Sequence, residues 1–255
     1  MNRKLAIVTG ATAGIGQQTS LDLAKIGYDL LILGRRQDRL LELKKNILSQ
    51  SSSAQVYILP MDIRDKDKLS LWIEDHAELL KSTQILVNSA GLARGVERFQ
   101  DSQWQDIEEM IETNVKALFF LTLKILPFMK KNNFGHIINL GSVAGRWVYQ
   151  GGTVYCASKF AVRAFTEGLR QDLVGTAIRV SNIEPGMVNT EFSLIRLGNQ
   201  TSADKVYENM TPLTAKDISE TICWILQRPA HVNIQELVIY PTDQAHIGVV
   251  NRKST

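Results

Sequence analysis

The sequence predicts an α/β fold in which a doubly wound, seven-stranded parallel sheet carries helices on both faces. Three observations carry that prediction. Short apolar runs alternate with helix-length segments from one end of the chain to the other. Several of the runs are unbroken stretches of Val, Ile and Leu, as expected for strands covered on both faces. The first run, Leu5–Thr9, leads into a glycine-rich turn followed by a helical pattern.

The candidate strands, in order, are Leu5–Thr9, Asp29–Leu33, Gln55–Leu59, Ile85–Asn88, His136–Leu140, Ile178–Ile183 and Leu237–Tyr240. Helical patterns occupy about 15–26, 37–49, 66–80, 103–131, 154–173 and 214–227. A helix between successive parallel strands implies right-handed crossovers. No Pro- or Ser-rich linker divides the 255 residues, so 1–255 is expected to form one domain. The longest stretch without an assignment is Met187–Thr211, and 187–211 is expected to cover the substrate as a lid or partly helical insertion.

Composition narrows the class of function. Apolar residues make up 44% and charged residues 22%, which is ordinary for a soluble globular protein. A net charge of +3, from 29 basic and 26 acidic residues well mixed, offers no reason to expect a nucleic-acid or membrane partner. The apolar run after Arg3-Lys4 is too short for a signal-peptide core. Lys124 and Pro127 interrupt the apolar stretch Ala117–Met129, which falls short of the ~20 residues of a bilayer span. Two cysteines make no disulfide framework, so a reducing cytoplasm is expected. The four histidines have no carboxylate or cysteine partners at ligand spacing, and no metal is expected.

The turn after the first run holds Gly10, Gly14 and Gly16. Glycine lets a backbone approach a pyrophosphate closely, and the following helix start offers free N–H groups to the anion. The second run ends in Leu33-Gly34-Arg35-Arg36, with no carboxylate where one would bind a ribose 2′-hydroxyl. A guanidinium binds a 2′-phosphate through charge-assisted hydrogen bonds, so Arg35 and Arg36 favour NADP(H) over NAD(H). Asp38, close by in sequence, keeps an acidic alternative open.

Tyr155 and Lys159 stand four residues apart in a helical pattern, which places them on one face. A tyrosine of pKa ~10 carries protons poorly at neutral pH. A nearby ammonium, together with an oxidised nicotinamide, is expected to favour the phenolate. Ser142, just after the fifth run, is placed to hydrogen-bond a substrate oxygen.

The set as a whole resembles the short-chain dehydrogenase/reductase family over nearly the entire chain, which implies a single Rossmann-type domain. Thr9-Gly10-x-x-x-Gly14-Ile15-Gly16 looks like its cofactor turn, and Thr12 falls within it. Asp62, with Ile63 beside it, is similar to the acidic residue that meets the adenine. Asn88-Ser89-Ala90-Gly91 resembles the family's Asn-Asn-Ala-Gly, with serine in second place. The resemblance adds Asn88, Ala90, Gly91, Pro185, Gly186, Val188 and Thr190 to the expected cofactor contacts. Asn114, Ser142, Tyr155 and Lys159 match the catalytic tetrad, with Asn114 linking a proton relay to water and Lys159 also binding the nicotinamide ribose. Gly34-Arg35-Arg36, Ile183-Glu184-Pro185-Gly186, Thr190-Glu191-Phe192-Ser193 with Arg196, and Pro229-Ala230-His231-Val232-Asn233-Ile234 resemble the subgroup of NADP-dependent 3-hydroxy acid dehydrogenases.

Two further residues are candidates for substrate contact. Arg196, in the unassigned segment, could bind a carboxylate; Glu184 could greet an amino group or accept backbone N–H bonds from the lid. Arg163, one turn beyond Lys159, reads as a helix-surface or interface charge. The resemblance also implies a dimer or tetramer built on the 103–131 and Tyr155-bearing helices. The expected activity is NADP(H)-dependent hydride transfer on a small 3-hydroxy acid or its carbonyl. The alternatives are a 3-oxoacyl-carrier-protein reductase, a broad carbonyl reductase, or an NADP(H)-sensing regulator on the same fold.

Overall fold

In the computed structural model, which describes residues 4–253, the strands alternate their side chains between two helical layers. Ala6 and Val8 of β1 (Leu5–Val8) and Leu30 and Ile32 of β2 (Asp29–Gly34) enter one core. There they meet Leu23 of α1 (Gly14–Lys25), Leu40 and Leu43 of α2 (Gln37–Gln50), and isoleucines of α10 (Ala215–Leu226). Leu5, Ile7, Leu31 and Leu33 point the other way. They pack on α3 (Lys66–Asp75) and α6 (Leu118–Asn132), and Leu173 at the end of α7 (Thr153–Asp172) joins that core. Period-two alternation with both faces covered explains why the strands read as continuous apolar runs.

The other strands are β3 (Val56–Pro60), β4 (Thr83–Asn88), β5 (Gly135–Leu140), β6 (Ile178–Pro185) and β7 (Glu236–Ile239). The seven-stranded sheet runs β3-β2-β1-β4-β5-β6-β7, and all its pairings are parallel. β1 pairs with both β2 and β4, so the strand order reverses there and a crevice opens beyond the carboxyl ends of the strands.

Two expected helices are broken. The 66–80 segment stops at His76, whose φ of −113° leaves the helical region, and resumes as the short α4 (Ala77–Leu80). The 103–131 segment divides into α5 (Trp104–Ile111) and α6, joined by a π-helical turn over Glu112–Ala117. Met187–Thr211 contains α8 (Phe192–Leu197) and α9 (Gln200–Val206), whereas the small antiparallel pair β8 (Gln244–His246) and β9 (Val249–Val250) has no counterpart among the expected strands. Among the described residues, no helix is long and apolar enough to cross a membrane.

Candidate active site

A cleft of about 620 Å³ lies over the carboxyl ends of the central strands. At its floor the glycine turn is shaped by crowding. Gly10 has φ +64°, and a Cβ there would sit 2.9 Å from Ala90 Cα. Gly16 needs space rather than an unusual φ: its Cβ would meet the Gly10 carbonyl at 2.5 Å. Thr9 Oγ1 accepts from the backbone N–H groups of Ser89 (3.0 Å) and Ala90 (2.9 Å), clamping the ends of β1 and β4 together. α1 begins at Ala13 with no side-chain cap, which leaves its first N–H groups for an anion.

At the end of β2, Arg36 donates to Thr12 Oγ1 (3.0 Å) and Thr12 O (3.2 Å), and to Glu191 at 2.9 Å. Arg35 is exposed and lies 3.8 Å from Glu109. Asp62 accepts from Arg64 at 2.6 Å, and that guanidinium holds its carboxyl below the usual carboxylate range. Ile63, Ala90, Gly91, Pro185, Gly186, Val188 and Thr190 also line the cleft.

Ser142, Tyr155 and Lys159 meet beyond the end of β5. Ser142 caps a 3₁₀ turn, accepting from Ala144 N–H at 3.1 Å, and its hydroxyl lies close enough to Tyr155 to favour the phenolate. Lys159 donates to the Leu140 carbonyl at 2.7 Å, with its ammonium 5.8 Å from the centre of the Tyr155 ring. Burial pushes the Tyr155 hydroxyl above its ordinary value, with Ser142 acting the other way; burial also lowers Lys159 to about 8. The expected help to the phenolate comes from the ammonium together with an oxidised nicotinamide; in the protein alone, burial sets the direction for Tyr155. In this desolvated corner burial penalises the charged forms of both groups.

Asn114 sits in the π-helical turn and is 1% exposed. Its amide donates to Leu92 O (2.8 Å) and Ser158 Oγ (3.0 Å), while its oxygen accepts from Leu92 N–H at 2.9 Å. Ser158 Oγ in turn donates to Tyr155 O at 2.7 Å. The wide turn therefore aims one amide at both the Gly91-Leu92 loop and the Tyr155 helix. Sequence reasoning missed Ser158, although it stands immediately before Lys159.

Arg196, on α8, reaches back into the cleft. It donates to Gly95 O (2.8 Å), Tyr149 Oη (2.6 Å) and Gly151 O (3.1 Å), and its guanidinium carbon lies 5.8 Å from the Tyr155 ring centre. Phe192 packs on Tyr155 with ring centres 5.5 Å apart. Gln244, Ile247 and Gly248 close the cleft from the chain's far end, and Gln244 Oε1 accepts from Met187 N–H at 2.8 Å. Neither Tyr149 nor Gln244 stood out in the sequence, because each reaches the site only through folding.

Besides Asn114, three expected site residues do not line the cleft. Asn88 donates to Thr122 Oγ1 (3.0 Å) and Asn139 Oδ1 (2.8 Å) inside the sheet layer, and Gly16 sits beneath the turn. Glu184 is fully buried away from the cleft, ion-paired with Arg146, accepting from Asn182 Nδ2 at 2.8 Å and 3.8 Å from Arg163. Arg163 also pairs with Glu236 at 2.7 Å, and Arg146 pairs with Glu236. Glu184 thus belongs to a network of two carboxylates and two guanidiniums behind the Ser142 turn, and burial raises it to about 7. Its partners come from other elements, which no reading of its neighbours in sequence could supply.

A model of the short chain dehydrogenase family matches residues 4–196, most of the chain. The chain belongs to that family. Over 247 residues it is 42% identical to NADP-dependent 3-hydroxy acid dehydrogenase YdfG of Escherichia coli O6:H1, covering 96% of this chain and 98% of that one. It is 41% identical to sulfoacetaldehyde reductase 2 of Chromohalobacter salexigens, covering 94% and 95% respectively. The structure of a closed serine dehydrogenase complexed with NADP+ superposes with a TM-score of 0.86 at 42% identity, covering 98% of this chain and all of that one. This short-chain dehydrogenase is accordingly an NADP-dependent oxidoreductase of CH–OH groups with a small-molecule substrate.

Proposed function

We propose that this dehydrogenase interconverts small 3-hydroxy acids, such as serine or 3-hydroxypropionate, with the corresponding carbonyl compounds. The observation that carries the proposal is Arg196. Its three hydrogen bonds use three of the five guanidinium N–H groups, and its guanidinium carbon lies 5.8 Å from the centre of the Tyr155 ring in the same cleft. A carboxylate two carbons from the reacting carbinol would meet that guanidinium while the hydroxyl meets Tyr155. The named relatives support an anionic substrate: 3-hydroxy acids and sulfoacetaldehyde both join a small reacting group to an anionic head.

The residues present fit NADP(H). Crowding at Gly10 keeps the turn open to a pyrophosphate, and the uncapped start of α1 faces the same cleft. Gly10, Gly14 and Ile15 would hold the pyrophosphate, and Arg35, Arg36 and Thr12 the 2′-phosphate. Asp62 and Ile63 would face the adenine; Ala90, Gly91, Pro185, Gly186, Val188, Thr190 and Lys159 would hold the nicotinamide end. When bound, oxidised NADP takes the hydride that leaves the substrate carbon.

Tyr155 Oη removes the hydroxyl proton during oxidation and returns it during reduction. Ser142 Oγ hydrogen-bonds the substrate oxygen and stabilises its developing charge. Burial opposes a phenolate, so positive charge must be concentrated nearby before Tyr155 works as a base; Lys159 supplies part of it. Asn114 is a positioning residue here, since its described bonds go to Leu92 and Ser158. Residues 187–211 cover the substrate in this reading. Exposed Leu123 on α6 and Phe160 on α7 support assembly through those helices, which light scattering would show as a dimer or tetramer.

The test follows reduced-nicotinamide absorbance with NADP+ or NAD+ and L-serine, D-serine, 3-hydroxypropionate or 1,3-propanediol. The proposal expects NADP+ reduction with at least one acid and far slower turnover of the diol. Equal turnover of the diol would leave a broad alcohol dehydrogenase.

A further inference from the structure

We propose that Glu191 is an intramolecular competitor for the 2′-phosphate of NADP(H): a lid carboxylate that must release Arg36 before the phosphate can take it. The inference rests on Arg35 and Arg36 being the phosphate site, as read above.

Glu191 immediately precedes α8, at the base of the proposed lid, and its side chain makes no capping bond to that helix. Arg36 immediately precedes α2, 155 residues away in sequence, and the two meet at 2.9 Å across the cleft they both line. Arg39, one turn further along α2, pairs with the other oxygen of the same carboxylate. Burial acts to raise the Glu191 carboxyl, but the bonds from Arg39 and Arg36 prevail and hold it ionised. Carboxylate and phosphate oxygens are bound by the same guanidinium N–H fork. Glu191 therefore takes the arm of Arg36 that a 2′-phosphate would need.

The two arginines at the end of β2 are committed unequally. Thr12 holds Nε and Nη2 of Arg36, and Glu191 holds Nη1. Arg35 is exposed, with an ion pair to Glu109 at 3.8 Å. An arriving phosphate would meet Arg35 first and then displace Glu191, since two anions on one guanidinium repel each other. NAD+ brings no such charge and would leave the pair intact. Selectivity for NADP+ is then the attraction of the arginines reduced by the competition from Glu191.

The competition also couples the phosphate to the lid. Thr190, adjacent to Glu191, packs over Gly14 of the cofactor turn: a Cβ on that glycine would lie 3.1 Å from Thr190 Cβ. Release of Glu191 loosens the start of α8, and its recapture of Arg36 helps expel the phosphate. Lid opening and cofactor release set the turnover of many dehydrogenase-like enzymes, so a competitor here would act on exchange rather than on chemistry.

Calorimetric titration of NADP+, NAD+, adenosine 2′,5′-bisphosphate and AMP into the wild type, Glu191→Gln and Arg36→Met tests the inference. Glu191→Gln should tighten NADP+ and the bisphosphate by about tenfold and move NAD+ and AMP by less than about twofold. Weaker or unchanged NADP+ binding in Glu191→Gln would mean that Glu191 orients Arg36, and would overturn the proposal. An equal change for NAD+ would overturn it in favour of a simple lid effect. Arg36→Met should weaken NADP+ selectively; no selective loss would overturn the phosphate-site reading and this inference together. Hydrogen exchange gives an independent readout. The bisphosphate, but not AMP, should speed exchange at the start of α8 in the wild type and leave Glu191→Gln unchanged. Equal effects of the two nucleotides on the wild type would contradict the coupling.

Discussion

The two ends of the cleft are built in different ways. The proposed phosphate-binding part of the cofactor end comes from consecutive pieces of chain: β1, its glycine turn, α1, and the Arg35-Arg36 pair after β2 all lie within the first 36 residues. The proposed substrate end draws Arg196 from α8, Tyr149 from the loop before α7, Gly95 from the loop after β4 and Gln244 from β8. Local segments specify the proposed phosphate site, whereas the proposed substrate end exists only after distant elements have packed. A change at the first should alter how one ligand is held; a change at the second should alter which substrate is chosen.

The largest expected effect lies where the two ends meet. Tyr155→Phe should lower kcat about a thousandfold or more while the calorimetric Kd for NADP+ stays within about twofold. Retention of most activity would remove Tyr155 from the reaction. A site assembled over long range also carries a pH signature in the sheet beneath it. His136 on β5 meets Ser181 of β6 at 2.8 Å, and burial lowers it to about 3. Folding with a neutral His136 is fully favoured above about pH 6.5, because the unfolded chain takes up a proton only below that. Stability should therefore fall from about pH 6.5 toward 3 by up to about 1.4 kcal/mol per unit from this residue. In His136→Asn, denaturant unfolding followed against pH should lose that part of the slope; an unchanged slope would mean that other groups set it.

Asn114→Ala sharpens the comparison, since it severs the link between the Leu92 loop and the Tyr155 helix. Loss of those buried bonds should cost about 2 kcal/mol, seen as a melting point lower by about 5 °C, with kcat reduced more than cofactor affinity. Equal losses in both would make Asn114 a stabilising residue without a positioning role. The smallest effect belongs to the locally coded end: Arg35→Gln should weaken NADP+ about tenfold, leave NAD+ unchanged and flatten the dependence of NADP+ binding on salt. Parallel loss of both cofactors would show that Arg35 does not read the 2′-phosphate.

The same division decides what could be read in the sequence. All seven parallel strands appear at or near their expected limits, from Leu5–Val8 to Glu236–Ile239; burial on both faces makes central strands such as β1 and β2 unbroken apolar runs, while the edge strands β3 and β7 are partly exposed. The glycine turn and the Ser142, Tyr155 and Lys159 set were legible because fixed spacing along one strand end or helix face is their geometry. Glu184 misled because an unusual residue beside a functional Pro-Gly invites a functional reading; its Arg146 and Arg163 partners lie far away in sequence. The breaks at His76 and in the π-helical turn escaped because hydrophobic periodicity continues across them. β8 and β9 are too short to leave a pattern, yet Gln244 and the loop between them close the cleft.

The central claim is that a lid guanidinium assembled over long range selects an anionic substrate. Its most direct test is kcat/KM of wild type and Arg196→Met with 3-hydroxypropionate and with 1,3-propanediol, at saturating NADP+. The account predicts that the variant loses about a hundredfold with the acid, roughly one buried charge-assisted hydrogen bond, and changes little with the diol. Equal losses with both substrates would contradict it, leaving Arg196 a structural strut between the lid and Tyr149.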